Sequence, residues 1–261
     1  DLQVDGKKVF AATGGKPFDP AQPVVIFVHG AGMDHTIWAL QTRWFAWHGR
    51  SVLAVDLPGH GKSDGPALTG VDEIGAWLVC LIEAAGAPST SLVGHSMGSL
   101  ASLAAGAIGG ERVAALALLG IGAEMRVHPD LLAATRSNDP AAYDLIVSWG
   151  FGQPAHFGLN RAPGMWMQGG GRSLLAHSPD DVLGIDMAAC DAYKAAPEAA
   201  AKVTCPTLFV CGNRDQMTPP KAAAPLAAAI AESRTVVIDG AGHMMMVEKP
   251  DETLDALIGA L

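Results

Sequence analysis

The sequence predicts an α/β fold: a mostly parallel sheet of eight strands, with helices on both faces and a helical insertion. Short apolar runs rich in β-branched residues recur along the chain, as in strands that are buried on both faces. Helical segments separate these runs, and this alternation is typical of a parallel sheet with right-handed crossovers. Between residues 122 and 202 the alternation stops, which indicates an insertion.

The composition is that of a folded protein with a large core. Hydrophobic residues make up 49% of the 261 residues and charged residues 16%, with a mean hydropathy of +0.25. Disorder needs low hydrophobicity and high charge density, so these values exclude it. The net charge of −9 repels phosphate groups, so we expect no nucleic-acid partner and no anionic membrane surface as a partner. No apolar run is long enough for membrane insertion.

The predicted strands follow one another with helices between them. At the start, Asp5-Gly6 is a two-residue turn signal that joins Asp1–Val4 to Lys8–Thr13 in a hairpin. The other predicted strands are Val24–Val28, Ser51–Val55, Ser91–Gly94, Ala115–Leu119, Thr207–Cys211 and Arg234–Ile238. The predicted helices of the regular part are Ile37–Trp47, Asp72–Ala85, Met97–Ile108, Pro219–Ala231 and Thr253–Leu261. In such sheets, ligands bind at the carboxyl ends of the strands.

The segment from 122 to 202 contains many prolines and glycines and no strand pattern. A structureless connection of that length is unusual in a compact domain. We therefore expect residues 1–121 and 203–261 to form the core domain, and residues 122–202 to form a helical cap over the upper edge of the sheet.

The strongest motif is Gly94-His95-Ser96-Met97-Gly98, a G-x-S-x-G sequence between a predicted strand and a predicted helix. In this context the motif forms a sharp turn that exposes the serine hydroxyl. Small residues at 94 and 98 suit a cramped turn, and the N-terminus of the following helix favours developing negative charge. Ser96 is therefore the predicted nucleophile, the alternative being a serine that only caps the helix.

A serine hydroxyl is a poor nucleophile until a base takes its proton. With this motif, the acid and then the histidine follow the serine along the chain. His243 is the last of nine histidines and follows the final predicted strand, so it is the predicted base. Asp215 follows the strand before that one and is the predicted acid, which would hold the imidazole in the correct tautomer. Glu124 is the fallback acid.

Acyl transfer also needs two N–H donors for the oxyanion. The predicted donors are the backbone N–H groups of Met97, directly after the nucleophile, and of Ala31, in the glycine-rich loop after Val24–Val28. Gly32 is left open as a neighbouring contact. His29, in the same loop, is expected to be structural.

The same loop imitates a dinucleotide-binding fingerprint, because Gly30-Ala31-Gly32 follows a buried strand and Asp56 ends the next one. The third glycine of that fingerprint is missing, since His35 stands there. Nucleotide binding is therefore disfavoured. The four cysteines show no metal-ligand spacing, so no metal site is predicted.

The insertion holds a group of large apolar side chains that are candidates for substrate contact. They are Trp149, Phe151, Phe157, Met165, Trp166 and Met167. Such residues form either the core of the insertion itself or an apolar wall for an acyl or alcohol group, and we expect some of each. The insertion also contains four arginines that would help to bind a carboxylate: Arg126, Arg136, Arg161 and Arg172.

Five stretches of the chain resemble the α/β-hydrolase superfamily, specifically its small bacterial cap-bearing serine esterases and lactonase-like hydrolases. They are VVIFVHGAG (24–32), DLPGHGKSD (56–64), LVGHSMGSL (92–100), TLFVCGNRD (207–215) and GAGHMMMVEKP (240–250). The resemblance implies the α/β-hydrolase fold, with Ser96 as nucleophile, Asp215 as acid, His243 as base and oxyanion donors at Ala31 and Met97. It also implies that no cofactor is needed.

Two differences from related enzymes narrow the expected activity. Epoxide hydrolases and haloalkane dehalogenases of this fold carry aspartate where this chain has Ser96, so both activities are disfavoured. Members with perhydrolase or haloperoxidase activity often have proline where this chain has Gly32, which disfavours perhydrolysis.

We therefore expect a carboxylesterase that cleaves small to medium apolar esters through an acyl-enzyme. A lactonase or a carbon–carbon bond hydrolase using the same three residues is the alternative, and a ligand-binding module on a hydrolase scaffold is the non-enzymatic one. The expected partner is a small-molecule ester or lactone, with a homodimer possible. With no basic segment before an apolar run, a cytoplasmic location is expected, although export stays open because the chain begins at Asp1.

Overall fold

The computed structural model describes residues 2–158 and 165–261. Asp1, where the first predicted strand begins, and Arg161, one of the four arginines of the insertion, lie outside the described residues. The strands are β1 (Leu2–Val4), β2 (Lys7–Val9), β3 (Ala11–Ala12), β4 (Val24–Val28), β5 (Ser51–Val55), β6 (Thr90–His95), β7 (Val113–Leu119), β8 (Thr207–Gly212) and β9 (Ser233–Ile238).

The helices fall into two sets, one in the regular alternation and one between β7 and β8. The first set is α1 (Ala39–Trp47), α2 (Val71–Ala84), α3 (Met97–Gly109), α10 (Pro220–Ala229), α11 (Met245–Glu248) and α12 (Pro250–Ile258). The second set is α4 (Pro129–Arg136), α5 (Ala141–Gly150), α6 (Gln153–His156), α7 (Met167–Ala176), α8 (Val182–Ala192) and α9 (Ala196–Ala200). Short 3₁₀ turns cover His35–Trp38 and Gly110–Arg112.

The main sheet has seven strands in the order β3-β5-β4-β6-β7-β8-β9. Only β3 is antiparallel to its neighbour, and the other pairs are parallel. The α/β prediction is confirmed, but the predicted count of eight strands is wrong. The reason is the N-terminal hairpin: β1 and β2 pair only with each other, and only the two residues of β3 reach the main sheet.

The inner strands of the main sheet are buried over most of their length, as their apolar sequences predict. Every residue of β4, β5 and β8 is buried. The helices that cover them form two packed groups: α1 with α11 and α12, and α2, α3, α9 and α10. A strand covered on both faces has no solvent-facing side, which explains why these runs are continuously apolar rather than alternating.

The segment between β7 and β8 contains helices and no strand in its described residues. Helix α4 packs on α5 and α8, and α5 packs on α7. Helix α9, in contrast, packs on α3 and α10 of the regular part. The cap that we propose therefore comprises α4 to α8 and ends earlier than residue 202. Across the described residues, no helix combines the length and the hydropathy that a bilayer crossing requires.

Candidate active site

Ser96 stands at the sharp turn between β6 and α3. Its backbone has φ 54° and ψ −116°, outside the conformations that L-residues prefer. A Cβ on Gly94 would lie 2.3 Å from the Gly98 oxygen, and a Cβ on Gly98 would lie 2.4 Å from the His29 oxygen. Both positions therefore need glycine, because backbone atoms crowd the turn. This crowding is what the small residues of the G-x-S-x-G motif predict.

His243 lies in the loop between β9 and α11 and is buried. Its backbone N–H donates to the Gly150 oxygen at 2.7 Å, which ties the loop to the end of α5. On its ring, Nδ1 lies 2.8 Å from Asp215 Oδ2, whereas Nε2 is buried and has no hydrogen-bond partner among the described residues. Because a carboxylate only accepts, Nδ1 carries the proton and Nε2 is left as a free acceptor.

Asp215 follows β8 and accepts four hydrogen bonds. Its Oδ1 accepts the backbone N–H groups of Met217 and Thr218, both at 2.8 Å. Its Oδ2 accepts from the Thr218 hydroxyl at 2.7 Å and from His243 Nδ1 at 2.8 Å. Burial alone would raise the pKa of Asp215, but the His243 ring and these donors outweigh it and lower the pKa to about 2.

The low pKa of Asp215 predicts how stability depends on pH. A carboxyl whose pKa is lower in the folded state stabilises the fold above its unfolded pKa of 3.8, and this stabilisation is lost as the pH falls through about 2. The lost contribution is roughly 2 kcal/mol. We expect the difference in unfolding free energy between the wild type and Asp215→Asn to shrink by that amount between pH 5 and pH 2 in urea titrations. A difference that stays constant with pH would contradict this assignment.

Ser96 and His243 line the same cavity but share no hydrogen bond in this structure. The free Nε2 of His243 is buried, and Ser96, which lines the cavity, is 8% exposed. Such contacts are often long in an enzyme without substrate and shorten when substrate binds. The arrangement therefore places an unused acceptor and the predicted nucleophile in the wall of the same cavity.

The two predicted oxyanion donors have no competing acceptor. Among the hydrogen bonds of the described residues, none uses the N–H of Ala31 or of Met97. Ala31 lines the cavity together with Ser96, and Met97 is the first residue of α3. Gly32 differs, because its N–H donates to Asp186 Oδ2 at 2.8 Å and so is not available to a substrate.

Three buried polar residues of the site were missed by sequence reasoning: His95, Asp186 and Glu248. His95 Nε2 lies 3.0 Å from the backbone oxygen of His243, and this contact supports the loop between β9 and α11 that carries His243. Asp186 and Glu248 each interrupt an apolar helical run, LGIDMAAC and MMMVEKP. A single carboxylate within apolar residues is a signal that could have found both, because buried charges need partners.

Glu248 joins the loop that carries His243 to the cap. Its Oε1 accepts the N–H of Gly242 at 3.0 Å, and its Oε2 accepts the N–H of Gly152 at 2.8 Å. Burial raises the pKa of Glu248 above its ordinary value, and the backbone donors oppose this rise. The residue before His243 is thus fixed to the segment that follows α5.

Two cavities meet at Ser96 and His243. The larger has a volume of about 290 Å³, with apolar walls from Met125, Leu131, Trp149 and Met187 and a polar edge at Arg126 and His128. The smaller has a volume of about 30 Å³ and is lined mainly by apolar side chains, among them Met33, Ile146, Phe151, Leu174 and Leu175. A substrate could therefore place one large and one small group on either side of the serine.

The structure separates the predicted apolar wall into three sets. Trp149 lines the larger cavity and Phe151 the smaller one. Met167 is buried in the core and lines neither. Phe157, Met165 and Trp166 are 70%, 53% and 69% exposed and line neither cavity, so their prediction as pocket residues is not supported by their placement. The Trp166 ring instead covers Gly169.

One group of possible metal ligands occurs in the described residues, formed by Asp34, His35 and Asp56. Asp56 Oδ1 accepts from the His35 N–H and lies 2.7 Å from His35 Nδ1, and Asp56 Oδ2 accepts the N–H of Lys62. These contacts hold the loop after β5, so a structural role accounts for the group.

Comparisons with known proteins find similar chains over nearly the whole length of this one. Epoxide hydrolase A of Mycobacterium tuberculosis (strain ATCC 25618 / H37Rv) is 28% identical over 92% of this chain and 90% of that protein. A solved thermophilic esterase is 30% identical over 99% of this chain and 94% of that chain, with a TM-score of 0.79. The enol-lactonase from Burkholderia xenovorans LB400 shares the fold, with a TM-score of 0.86 and 23% identity over 98% of this chain and 97% of that chain.

Some matches are partial, since three other curated relatives are covered over only 26%, 30% and 24% of their length. The family model, in contrast, matches residues 25–256, and thus includes Ser96, Asp215 and His243. A G-x-S-x-G turn between a strand and a helix, with an Asp–His pair after later strands, is the arrangement of that family. The chain belongs to the Alpha/beta hydrolase family.

Proposed function

We propose that the protein is a serine carboxylesterase that cleaves small to medium apolar carboxylic esters through an acyl-enzyme. One observation carries the proposal. The buried Asp215–His243 pair leaves Nε2 as a free acceptor at the cavity that Ser96 and Ala31 line, and the N–H groups of Ala31 and of Met97, the residue after Ser96, are unused. Nucleophile, base, acid and oxyanion donors are the parts that acyl transfer needs.

In the first half-reaction, Ser96 Oγ attacks the ester carbonyl carbon while His243 Nε2 takes the hydroxyl proton. Asp215 stabilises the imidazolium that forms, without itself becoming protonated. The carbonyl oxygen becomes an oxyanion held by the Ala31 and Met97 N–H groups. When the tetrahedral intermediate collapses, the bond to the alcohol oxygen breaks and His243 gives that oxygen its proton.

In the second half-reaction, water attacks the acyl carbon and His243 Nε2 takes one proton from it. The new oxyanion uses the same two N–H groups. Collapse releases the carboxylic acid, and the proton returns from His243 to Ser96 Oγ. General acid–base catalysis of this kind contributes about 10²- to 10⁴-fold, and one oxyanion donor about 10²- to 10³-fold.

The cavities support esters of modest size. The volume of about 290 Å³ is near the lower limit of small-molecule sites, and the narrow apolar branch of about 30 Å³ admits only a small group. The similarity to the thermophilic esterase, at 30% identity, supports the same class of substrate. The similarity to epoxide hydrolase A carries less weight, because epoxide hydrolases of this fold use an aspartate where this chain has Ser96.

A second candidate is a lactonase or carbon–carbon bond hydrolase that uses the same residues on a carboxylate-bearing substrate. Arg126 and His128 on the edge of the larger cavity favour it. However, Arg126 Nε lies 2.8 Å from Glu124 Oε2, so its charge is already paired at the surface. An uncharged ester is therefore the first choice.

The test is the initial rate on p-nitrophenyl esters from acetate to palmitate, with lactones and an epoxide as further substrates. We expect the highest kcat/KM on short or medium acyl chains, a steep fall towards palmitate because the cavities are small, and no epoxide opening. Absence of turnover on every ester, together with turnover of a lactone or a carbon–carbon substrate, would favour the second candidate instead.

A p-nitrophenyl alkylphosphonate tests the nucleophile directly and separates an enzyme from a binding module. We expect one phosphonyl group per chain, located by peptide mass on Ser96, with one equivalent of p-nitrophenol released. A protein that only binds ligands has no activated serine and would stay unlabelled.

A further inference from the structure

Asp186 is a buried carboxylate that joins three segments of the chain. It comes from α8, and its Oδ2 accepts the N–H of Gly32, in the loop after β4, at 2.8 Å. The same oxygen lies 2.8 Å from His60 Nε2, in the loop after β5. Asp186 is 1% exposed and His60 is 2% exposed, so water does not replace either contact.

His60 has an acceptor at each ring nitrogen. Its Nδ1 lies 3.1 Å from the Pro58 oxygen, and its Nε2 faces Asp186. Burial lowers the pKa of His60, but Asp186 and the Pro58 carbonyl outweigh this and raise it above the ordinary value. His29, whose ring centroid is 4.8 Å away, stays neutral, because its Nε2 accepts the N–H of Leu57 and burial lowers its pKa to about 4. His60 is thus the counter-charge of Asp186.

Stability alone does not account for this pair. A buried ion pair contributes little net stability compared with apolar residues of similar size. Moreover, Asp186 Oδ1 is buried without a hydrogen-bond partner among the described residues, which is costly. The contacts that Oδ2 makes with Gly32 and His60 are therefore the basis on which a role is assigned to Asp186.

That contact fixes the oxyanion loop. Gly32 has φ +64°, and its N–H belongs to the peptide group that directly follows Ala31. Holding this N–H fixes the peptide group on the C-terminal side of Ala31. The Ala31 N–H belongs to the peptide group on the other side of the same Cα, and only the φ and ψ dihedrals of Ala31 separate the two groups. Fixing the first group therefore restricts the directions in which the Ala31 N–H can point. A Cβ on Gly32 would lie 2.6 Å from Leu183 Cδ1, so α8 also packs directly on this loop.

We propose that Asp186 is a positioning residue, which from the cap helix α8 holds the Gly32 N–H and thereby aims the Ala31 N–H at the substrate oxyanion. The cap therefore completes the oxyanion site rather than only covering the substrate. This inference rests on the proposed function, since it needs an oxyanion formed at Ser96.

The test compares Asp186→Ala with Asp186→Asn, using Asp191→Ala as control. Alanine removes the acceptor of the Gly32 N–H. We expect kcat per active site on the best ester to fall about 10- to 100-fold, because a displaced catalytic group costs about that much. KM should change less than about threefold. Asparagine can place its amide oxygen where Oδ2 lies, so it should restore most of kcat. Asp191 is on the same helix and accepts a backbone N–H, that of Val127, at 3.0 Å, and its variant should keep the wild-type kcat.

An alkyl trifluoromethyl ketone separates positioning from loss of folded enzyme. Ser96 Oγ adds to its carbonyl carbon, the proton passes to His243 Nε2, and the resulting oxyanion occupies the same site. We expect the inhibition constant of Asp186→Ala to rise by the same factor as kcat/KM falls, whereas inhibition by the product alcohol stays unchanged. A purely structural role would lower the number of sites titrated by the phosphonate and leave the constants of the remaining sites unchanged, which would overturn the inference.

Removing only one member of a buried ion pair can prevent folding. The double variant Asp186→Leu with His60→Leu removes both charges together with the Gly32 acceptor, and it should show the same loss of kcat and the same weakened ketone binding. Full activity in this double variant would also overturn the inference. A wild type that neither turns over esters nor reacts with the phosphonate would instead refute the proposed function.

Discussion

Ser96→Ala is expected to lower kcat on the best p-nitrophenyl ester by roughly 10⁴- to 10⁶-fold, the range found when one member of a serine–histidine–aspartate triad is removed. Alanine has no oxygen with which to form the acyl-enzyme, so only the oxyanion donors and the binding cavity remain. Steady-state rates and the loss of phosphonate labelling measure the effect. Binding of the product should change little, because the rest of the cavity walls is intact.

The fold should tolerate this change, since the Ser96 hydroxyl has no hydrogen bond among the described residues. Alanine is also under the same backbone constraint as serine at the positive φ of this position. Ser102→Ala is the matched control. Ser102 is also buried in α3, and its Oγ has no hydrogen-bond partner in the part of the chain that the structure describes. Its removal should therefore leave both kcat and the urea midpoint near the wild-type values. If Ser96→Ala kept the wild-type rate, the acyl-enzyme mechanism would be wrong.

Sequence reasoning could propose a nucleophile, a base and an acid because each of the three residues has a local signal. Ser96 lies in a motif whose glycines are required by backbone crowding, and Asp215 and His243 follow neighbouring strands, β8 and β9. The carboxyl ends of parallel strands meet at one edge of the sheet, so the order of elements brings these side chains together. The proximity of these side chains is thus a consequence of the topology of the sheet, which the apolar runs of the sequence predict.

The polar contacts between the cap and the core could not be predicted in the same way. Asp186 meets Gly32 and His60 across 154 and 126 residues, and Glu248 meets Gly152 across 96. A single carboxylate in an apolar helix indicates that a partner exists, but the partner depends on how the cap is seated. Nothing in the local sequence encodes that placement.

The apolar residues of the cap show a second limit of prediction from the sequence. Trp149 and Phe151 line the cavities, whereas Phe157 and Trp166 are exposed, although all four occur in one apolar group of the sequence. The helices there are short, α6 having only four residues, so periodicity is too brief to assign a buried face. Likewise, β3 is only two residues long, which is too short for the sequence pattern to distinguish it from the hairpin strands that precede it.

Asp215→Asn is expected to lower kcat about 10⁴-fold, and the reason lies in the direction of its amide. Two backbone N–H groups, from Met217 and Thr218, point at the position of Oδ1 and cannot turn away. The amide oxygen of asparagine must face them, so its NH₂ group occupies the position of Oδ2, opposite His243 Nδ1. His243 Nδ1 then accepts, and the ring proton moves to Nε2, which can no longer take the proton of Ser96.

Steady-state kinetics measure this loss, with Glu124→Gln as the matched control. Glu124, the fallback acid of the sequence analysis, is an exposed residue paired with Arg126, so removing its charge should change kcat less than about twofold. Phosphonate labelling of Ser96 should be slow in Asp215→Asn but reach one equivalent, because the nucleophile and the oxyanion donors are still present. If Glu124→Gln rather than Asp215→Asn abolished activity, the acid would have to come from the loop after β7, and the Asp215–His243 contact would be only structural.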